Sequence, residues 1–117
     1  MKLTEVTFGR GLPIEGYGPG FFRIAGAVHR GAVLIAPEGV LGWGGFDDTV
    51  GVLGLAGQID VLFVGTGPEI APIPAEFRAP LEAAGVGVEI MNTPAACRSH
   101  NVCLAEGRRI AAALLPV

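Results

Sequence analysis

The pattern of apolar positions divides the chain into short apolar runs separated by glycine and proline turns. The segment Val61–Val64 is continuously apolar, with no alternation of polar residues. Such a run is typical of a strand buried on both faces, as in a parallel sheet. Val86, Val88 and Ile90 alternate with other residues, which predicts a second strand further along the chain.

A helix is predicted between these two strands. Phe77, Leu81 and Ala84 fall at i, i+4 and i+7 and so share one helical face. Pro74 suits the first helical position, and Gly85 suits the C-terminal cap. Strand, helix and strand within about thirty residues form a βαβ unit, whose crossover is right-handed and whose strands are parallel.

The N-terminal half is patterned as antiparallel strands. Three short apolar runs, Phe21–Ile24, Ala32–Ala36 and Val40–Trp43, are separated by turn residues. Their close spacing favours antiparallel neighbours. Gly26 and Gly31 bracket a predicted turn that carries His29 and Arg30.

The length of 117 residues predicts a single domain. Within it, residues 1–20 are interpreted as an extended lead-in, with an edge strand over Leu3–Phe8, and residues 21–117 as the core. Asp47 and Asp48 are candidate N-caps of a helix over residues 48–58. Three glycines inside that segment each weaken the helix by about 1 kcal/mol relative to alanine.

The segment from Thr93 onward is predicted to be a long helix, with Thr93 as N-cap and Pro94 at its first helical position. Gly107 divides the segment. One face at helical spacing consists of Ala96, His100, Cys103, Gly107, Ile110 and Leu114.

Composition narrows the classes of function. The formal net charge is −3, and the basic residues form only short clusters. A nucleic-acid partner is not expected, because binding phosphates usually needs a basic surface. The N-terminus lacks the apolar stretch of a signal peptide, and the longest apolar run, Ile110–Val117, is too short to span a bilayer. Cys97 and Cys103 would lie about 9 Å apart along a helix, so reduced thiols and a cytoplasmic location are expected.

A ligand site is predicted where the parallel strands end, because ligands of open α/β sheets bind beyond the carboxyl ends of the strands. Gly65-Thr66-Gly67 follows the buried strand, and Thr93 opens the last helix. Glycine N–H groups and a helix N-terminus favour an anion, and Arg98 and Asn101 complete the candidate set. The alternative is that the glycines form a tight turn and Thr93 only caps the helix.

Three further features have competing interpretations. Cys97, His100 and Cys103 share one arc of the last helix and fit either a metal half-site or, preferably, core packing. Arg108 and Arg109 form either a partner-binding patch or a solvated helix face. Trp43 fits an interface anchor as well as the core. Because no nucleophile–base set and no paired carboxylates appear, no catalytic residue, metal or cofactor is assigned, and an enzyme is not favoured.

The second half of the chain resembles a family of domains of unknown function that also contains the mitochondrial complex I assembly factor 3. Gly65-Thr66-Gly67 after an apolar strand matches that family too, and the similarity covers Gly20–Leu115. Two positions depart from the family pattern: His100 stands where a tyrosine is usual, and Pro80 lies within the predicted helix. The residues that carry the similarity most specifically are Gly85–Met91, Thr93, Ala96, Arg98, Asn101, Leu104 and Glu106–Leu114.

The resemblance implies a three-layer α/β fold with a central mixed β-sheet, helices, and an added β layer from the N-terminal half. It implies no established enzymatic activity, and the mitochondrial members act through protein partners in assembling complex I. The first hypothesis is therefore a non-catalytic binding or assembly module that acts through protein partners. The second is a small-molecule binder, for an anion or carboxylate, or an enzyme using the Gly65–Gly67 loop. A homodimer paired through exposed strand edges is left open.

Overall fold

The computed structural model describes residues 12–117, and the edge strand expected over Leu3–Phe8 lies outside the described residues. Strands and helices alternate in the second half of the chain, whereas the first half is built from short strands. The strands are β1 (Ile14–Gly18), β2 (Phe21–Ile24), β3 (Ala27–Arg30), β4 (Val33–Ala36), β5 (Gly39–Gly42), β6 (Val61–Thr66), β7 (Gly87–Met91) and β8 (Ile110–Leu115). The helices are α1 (Val50–Leu53), α2 (Ala75–Ala83) and α3 (Thr93–Ala105).

The strands form two sheets. A three-stranded antiparallel sheet has the order β1-β2-β3, and a five-stranded sheet has the order β5-β4-β8-β6-β7. In the larger sheet β6 is parallel to both β7 and β8, whereas β4 is antiparallel to β5 and β8. The α/β fold with a central mixed sheet is therefore confirmed, as is the βαβ unit of β6, α2 and β7.

The two faces of the five-stranded sheet are covered by different layers. On one face, Phe22 and Ile24 of the small sheet and Leu104 of α3 pack in one buried cluster with Phe63. On the other face, Phe77 of α2 belongs to a second buried cluster. Helices and an added N-terminal β layer thus enclose a central sheet, which confirms the expected three-layer arrangement.

The end of the chain corrects the prediction of a long last helix. α3 ends at Ala105, Gly107 turns the chain with a φ of 77°, and residues 110–115 form β8 between β4 and β6. The alanines at 111–113 are fully buried. Alanine favours helices, but intrinsic propensity is overridden where small side chains let layers pack on both faces of a central strand.

Three shorter segments also differ from expectation. Residues 27–30, predicted as a turn, form β3, and the flanking Gly26 and Gly31 have φ values of 79° and 82°. Residues 14–18, placed in the extended lead-in, form β1. The helix expected over 48–58 is reduced to α1, whose N-cap is Thr49 rather than either aspartate, because glycines interrupt the helical turns.

Trp43 belongs to the buried core. Its ring packs edge-on against Phe46 with centroids 5.4 Å apart and lies 5.8 Å from Phe77. The indole Nε1–H donates to the carbonyl of Asp48 at 3.1 Å, which satisfies the polar atom of this ring. The core-packing interpretation of Trp43 is confirmed.

Candidate functional site

The loop after β6 and the start of α3 meet at one edge of the five-stranded sheet. Gly67 N–H donates to Thr93 Oγ1 at 2.9 Å, and Thr93 N–H donates to the carbonyl of Gly67 at 2.8 Å. β6 and β7 are parallel neighbours, so the segments that follow them emerge at the same edge. Four of the six candidate residues, Gly65, Thr66, Gly67 and Thr93, are thereby brought together.

The hydroxyl of Thr93 links this edge to the C-terminal strand. It donates to the carbonyl of Leu115 at 2.6 Å while accepting from Gly67, and its side chain is completely buried. A Cβ at Gly65 would lie 2.7 Å from this oxygen, so glycine is required for the close approach of β6 and α3. The single hydroxyl proton of Thr93 is thus committed to the main chain of the protein itself.

Asn92, and not Thr93, is the N-cap of α3. The Asn92 side chain accepts a hydrogen bond from Ala95 N–H at 2.8 Å, and its backbone is extended, whereas Thr93 is the first helical residue. Asparagine is among the strongest N-caps, which leaves the Thr93 hydroxyl free for its tertiary contacts. Pro94 therefore occupies the second helical position instead of the first.

Thr66 holds the loop that follows β6. Its hydroxyl oxygen accepts from Ala71 N–H at 3.0 Å and donates to the carbonyl of Glu69 at 2.7 Å, with the Met91 carbonyl at 3.3 Å. These contacts close residues 66–71 into a compact loop at the sheet edge.

Asn101 lies on the flank of α3 that faces the N-terminal sheet. Its Nδ2 donates to the carbonyl of Ile14, and its Oδ1 accepts from Ile14 N–H, both at 2.8 Å. The side-chain amide therefore pairs with the β1 backbone as a neighbouring strand would. Asn101 joins the N-terminal sheet to α3 and is separate from the Gly65–Gly67 loop.

Arg98 is exposed and lines a groove between α3 and β7, which we call the α3–β7 groove. Its volume is about 660 Å³. The six candidate residues thus lie in three places: at the strand ends, at the β1 backbone, and in this groove. The groove is lined by Val61, Phe63, Glu89, Met91, Arg98, Ser99, Val102, Cys103 and Arg108.

The groove was not predicted from the sequence, although two local signals mark parts of its lining. Val102 is an apolar residue outside the helical face traced through Ala96 and His100, which marks an exposed apolar position. Glu89 and Met91 alternate with the buried Val88 and therefore point to the other face of β7. The ligand roles of the six candidate residues stay predictions.

In the Cys97, His100 and Cys103 arc, two residues face the core, whereas Cys103 is half-buried and lines the α3–β7 groove. Cys97 and His100 are buried, and both cysteines are free thiols. Within residues 12–117 no group of three or more His, Cys, Asp or Glu residues is arranged to hold a metal ion. Burial raises the pKa of the Cys97 thiol to about 11, and the nearby Arg98 charge opposes this shift only in part.

His100 makes one hydrogen bond to the segment that precedes β1. Its Nε2 lies 3.1 Å from the carbonyl of Leu12, whereas the buried Nδ1 has no hydrogen-bond partner among the described residues. Burial lowers the pKa of this imidazole, against the smaller opposing effect of the Leu12 carbonyl. A carbonyl can only accept, so Nε2 is the protonated nitrogen in this hydrogen bond, and the lowered pKa favours the neutral ring.

Helix length bears on membrane association. Among the described residues, no helix combines the length and apolar character that a bilayer crossing requires.

Comparison with known proteins identifies relatives along nearly the whole chain. A protein of Rhodobacter capsulatus, described as uncharacterized, is 55% identical over 117 residues, which are all of this chain and 94% of that protein. NADH dehydrogenase [ubiquinone] 1 alpha subcomplex assembly factor 3 of Danio rerio is 34% identical over 113 residues. That match covers 91% of this chain but only 65% of the fish protein.

A solved structure shares the fold. The crystal structure described as an outer membrane protein from Bartonella henselae superposes with a TM-score of 0.84 at 40% identity, covering 93% of this chain and 97% of that one. The family profile for the protein of unknown function DUF498/DUF598 matches residues 14–115. That span runs from the first residue of β1 to the last residue of β8, and the chain therefore belongs to the DUF498/DUF598 family.

Proposed function

We propose that this protein is a non-catalytic binding module that aids the assembly of membrane or respiratory complexes through protein contacts. The observation that carries the proposal is the 34% identity to a protein named as an assembly factor of NADH dehydrogenase, over 91% of this chain. The match covers only 65% of that relative, so a shared activity of the two proteins is part of the proposal.

The hydrogen bonding of the strand-end residues supports a structural role for them over a catalytic one. The Thr93 hydroxyl proton is donated to Leu115, and the Thr66 hydroxyl is held within its own loop. A catalytic group needs its proton or lone pair available to a substrate. These side chains instead hold β6, α3 and β8 together, as expected of a scaffold that presents a surface.

The test is capture of partners under native conditions. The chain carries an affinity tag in its native host, is crosslinked in cells, and is purified beside a tag-only control. Subunits of a membrane-associated complex should be enriched, and deletion of the gene should lower the amount of that assembled complex on native gels. Absence of any reproducibly enriched protein, with unchanged complexes in the deletion strain, would contradict the proposal.

Small-molecule binding is the alternative and is tested separately. Phosphates, nucleotides and carboxylates are screened by thermal shift, because a ligand that binds only the folded state raises the melting temperature. A hit that disappears in Arg98→Ala but persists in Arg23→Ala would favour this alternative. A panel without hits would favour the binding-module proposal.

A cytoplasmic location completes the proposal, and the oligomeric state is left to experiment. The free thiols of Cys97 and Cys103 agree with a reducing compartment. Fractionation of native cells decides the location, and recovery in the membrane fraction would contradict it. Sedimentation of the purified chain decides the oligomeric state, since a homodimer has twice the monomer mass.

A further inference from the structure

The α3–β7 groove combines an apolar floor with exposed charges. Val61 and Phe63 of β6 and Met91 of β7 form the floor, and α3 forms the wall. Val102 on that wall is 57% exposed, which is high for a valine in the middle of a helix. A volume of about 660 Å³ lies in the range of clefts that bind ligands.

The groove lies along an open edge of the sheet. β7 is the terminal strand in the order β5-β4-β8-β6-β7, so among the described residues it has a strand neighbour on one side only. Edge strands of this kind accept extended peptides, whose alternate side chains enter adjacent pockets. The shape of the site therefore favours an extended segment along β7.

The charges of the groove are not balanced within the described residues. Arg98 and Glu89 have no ion-pair partner there. The Arg108 guanidinium donates to the Cys103 sulfur at 3.5 Å, and its charge helps to lower the pKa of Asp60 without forming an ion pair with it. By contrast, the neighbouring Arg109 donates hydrogen bonds to both carboxylate oxygens of Asp60, at 2.8 and 3.2 Å. Two arginines against one glutamate leave the groove with a net positive charge.

The spacing of the two arginines fits two anionic groups. Arg108 lies beyond the end of α3, where its backbone N–H donates to the carbonyl of Cys103 at 3.1 Å and its guanidinium to the Cys103 sulfur at 3.5 Å. Cys103 is five positions after Arg98, which at the rise of a helix is about 7.5 Å along α3. Two acidic residues two positions apart in an extended segment are separated by about 7 Å on the same side and match this spacing.

We propose that the α3–β7 groove binds an extended acidic segment of a partner protein, with carboxylates at Arg98 and Arg108 and an apolar side chain over Phe63. This inference rests on the proposed function and assigns the partner contact to one surface. Guanidinium groups bind carboxylates through paired N–H donors, which gives such a contact both strength and orientation.

The test uses a fluorescein-labelled peptide of nine residues with glutamate at positions 3 and 5, leucine at position 7 and serine elsewhere. Anisotropy with the full chain should show saturable binding that weakens with added salt. A peptide with glutamine at positions 3 and 5 should bind about tenfold more weakly, as should the variants Arg98→Gln and Arg108→Gln. Glu89→Gln should bind more tightly, because it removes a like charge.

The matched control is Arg23→Gln, which removes an exposed arginine from β2, outside the groove. Its affinity should stay within a factor of about two. In NMR spectra the methyl signals of Met91 and Val102 should shift on peptide addition. Equal binding of both peptides, unchanged binding by the Arg98 and Arg108 variants, or shifts confined to other methyl groups would overturn the proposal.

Other occupants give distinct results. Preference for phosphatidylglycerol vesicles over the acidic peptide, or loss of peptide binding because two copies associate through the groove, would overturn the proposal. A partner captured in cells equally well by the Arg98→Gln/Arg108→Gln variant would leave the assembly function standing and refute the groove. Failure to capture any partner would refute the assembly function itself.

Discussion

Thr93 and Gly67 hold each other by two hydrogen bonds that run in opposite directions, one to the threonine hydroxyl and one from its backbone N–H. The same hydroxyl donates to Leu115, so a single buried oxygen joins the loop after β6, the start of α3 and the end of β8. The packing of these three segments therefore depends on one side chain.

Thr93→Val keeps the shape of this side chain and removes its hydroxyl. The Gly67 N–H and the Leu115 carbonyl would lose a partner in a buried setting, so we expect the free energy of unfolding to fall by about 2–4 kcal/mol. Thr93→Ser, which retains the hydroxyl, is the control and should lose less. Urea unfolding followed by circular dichroism measures both, and equal losses in the two variants would contradict the role of the hydroxyl.

Gly65→Ala tests the close approach of β6 and α3. The added Cβ would meet Thr93 Oγ1 at 2.7 Å and Leu114 Cδ2 at 2.9 Å, so overpacking should cost about 1–3 kcal/mol. Gly42→Ala in β5 is the matched control, because a Cβ there has no heavy atom within 4 Å. Comparable stability of the two variants in thermal unfolding would show that the sheet edge adapts without strain.

Asn101→Leu should loosen the N-terminal sheet. The variant removes both hydrogen bonds to the Ile14 backbone, and we expect a loss of about 1–3 kcal/mol. Hydrogen exchange at the Ile14 amide should accelerate more than exchange in β6 or β8. Uniform acceleration across both sheets would mean that Asn101 stabilises the whole fold rather than the attachment of β1.

His100 predicts a fall in stability on acidification. Its pKa is lowered in the folded protein, whereas the unfolded chain titrates near 6.5, so the unfolded state binds the proton first. Stability is therefore fully present above pH 6.5 and decreases below it, by up to about 1.4 kcal/mol per pH unit, until the folded imidazole also protonates. Unfolding curves between pH 7.5 and about 4.5 measure how the free energy of unfolding changes with pH in the protein and in His100→Tyr, and the decrease should be smaller in the variant. Parallel pH profiles would contradict the assignment to His100.

The two thiols should differ in reactivity. Burial raises the pKa of Cys97 to about 11, so at neutral pH its thiolate is scarce and shielded, whereas Cys103 is partly exposed in the α3–β7 groove. Iodoacetamide should modify Cys103 first, as read by peptide mass spectrometry of the native protein. Cys103→Ser should abolish the fast modification by iodoacetamide. Rapid labelling of Cys97 in that variant would show that the core opens readily.

Periodicity predicted the βαβ unit because β6, α2 and β7 are each governed by local patterns. The same reasoning failed for residues 110–115, because a short apolar run rich in alanine fits a buried strand as well as a buried helix. The roles of Thr93 and Asn101 depend on partners 26 and 87 positions away in the chain, which local patterns do not encode. The groove escaped prediction for the same reason, since its floor and wall come from separate elements.

The position of β8 has a consequence for biosynthesis. β4 and β6 are neighbours of β8 and not of each other, so the pair formed by β4 and β5 shares no ladder with the pair formed by β6 and β7 until residues 110–115 arrive. Because β8 follows the other seven strands in the described chain, we expect the five-stranded sheet to be completed only after residues 110–115 have been synthesised.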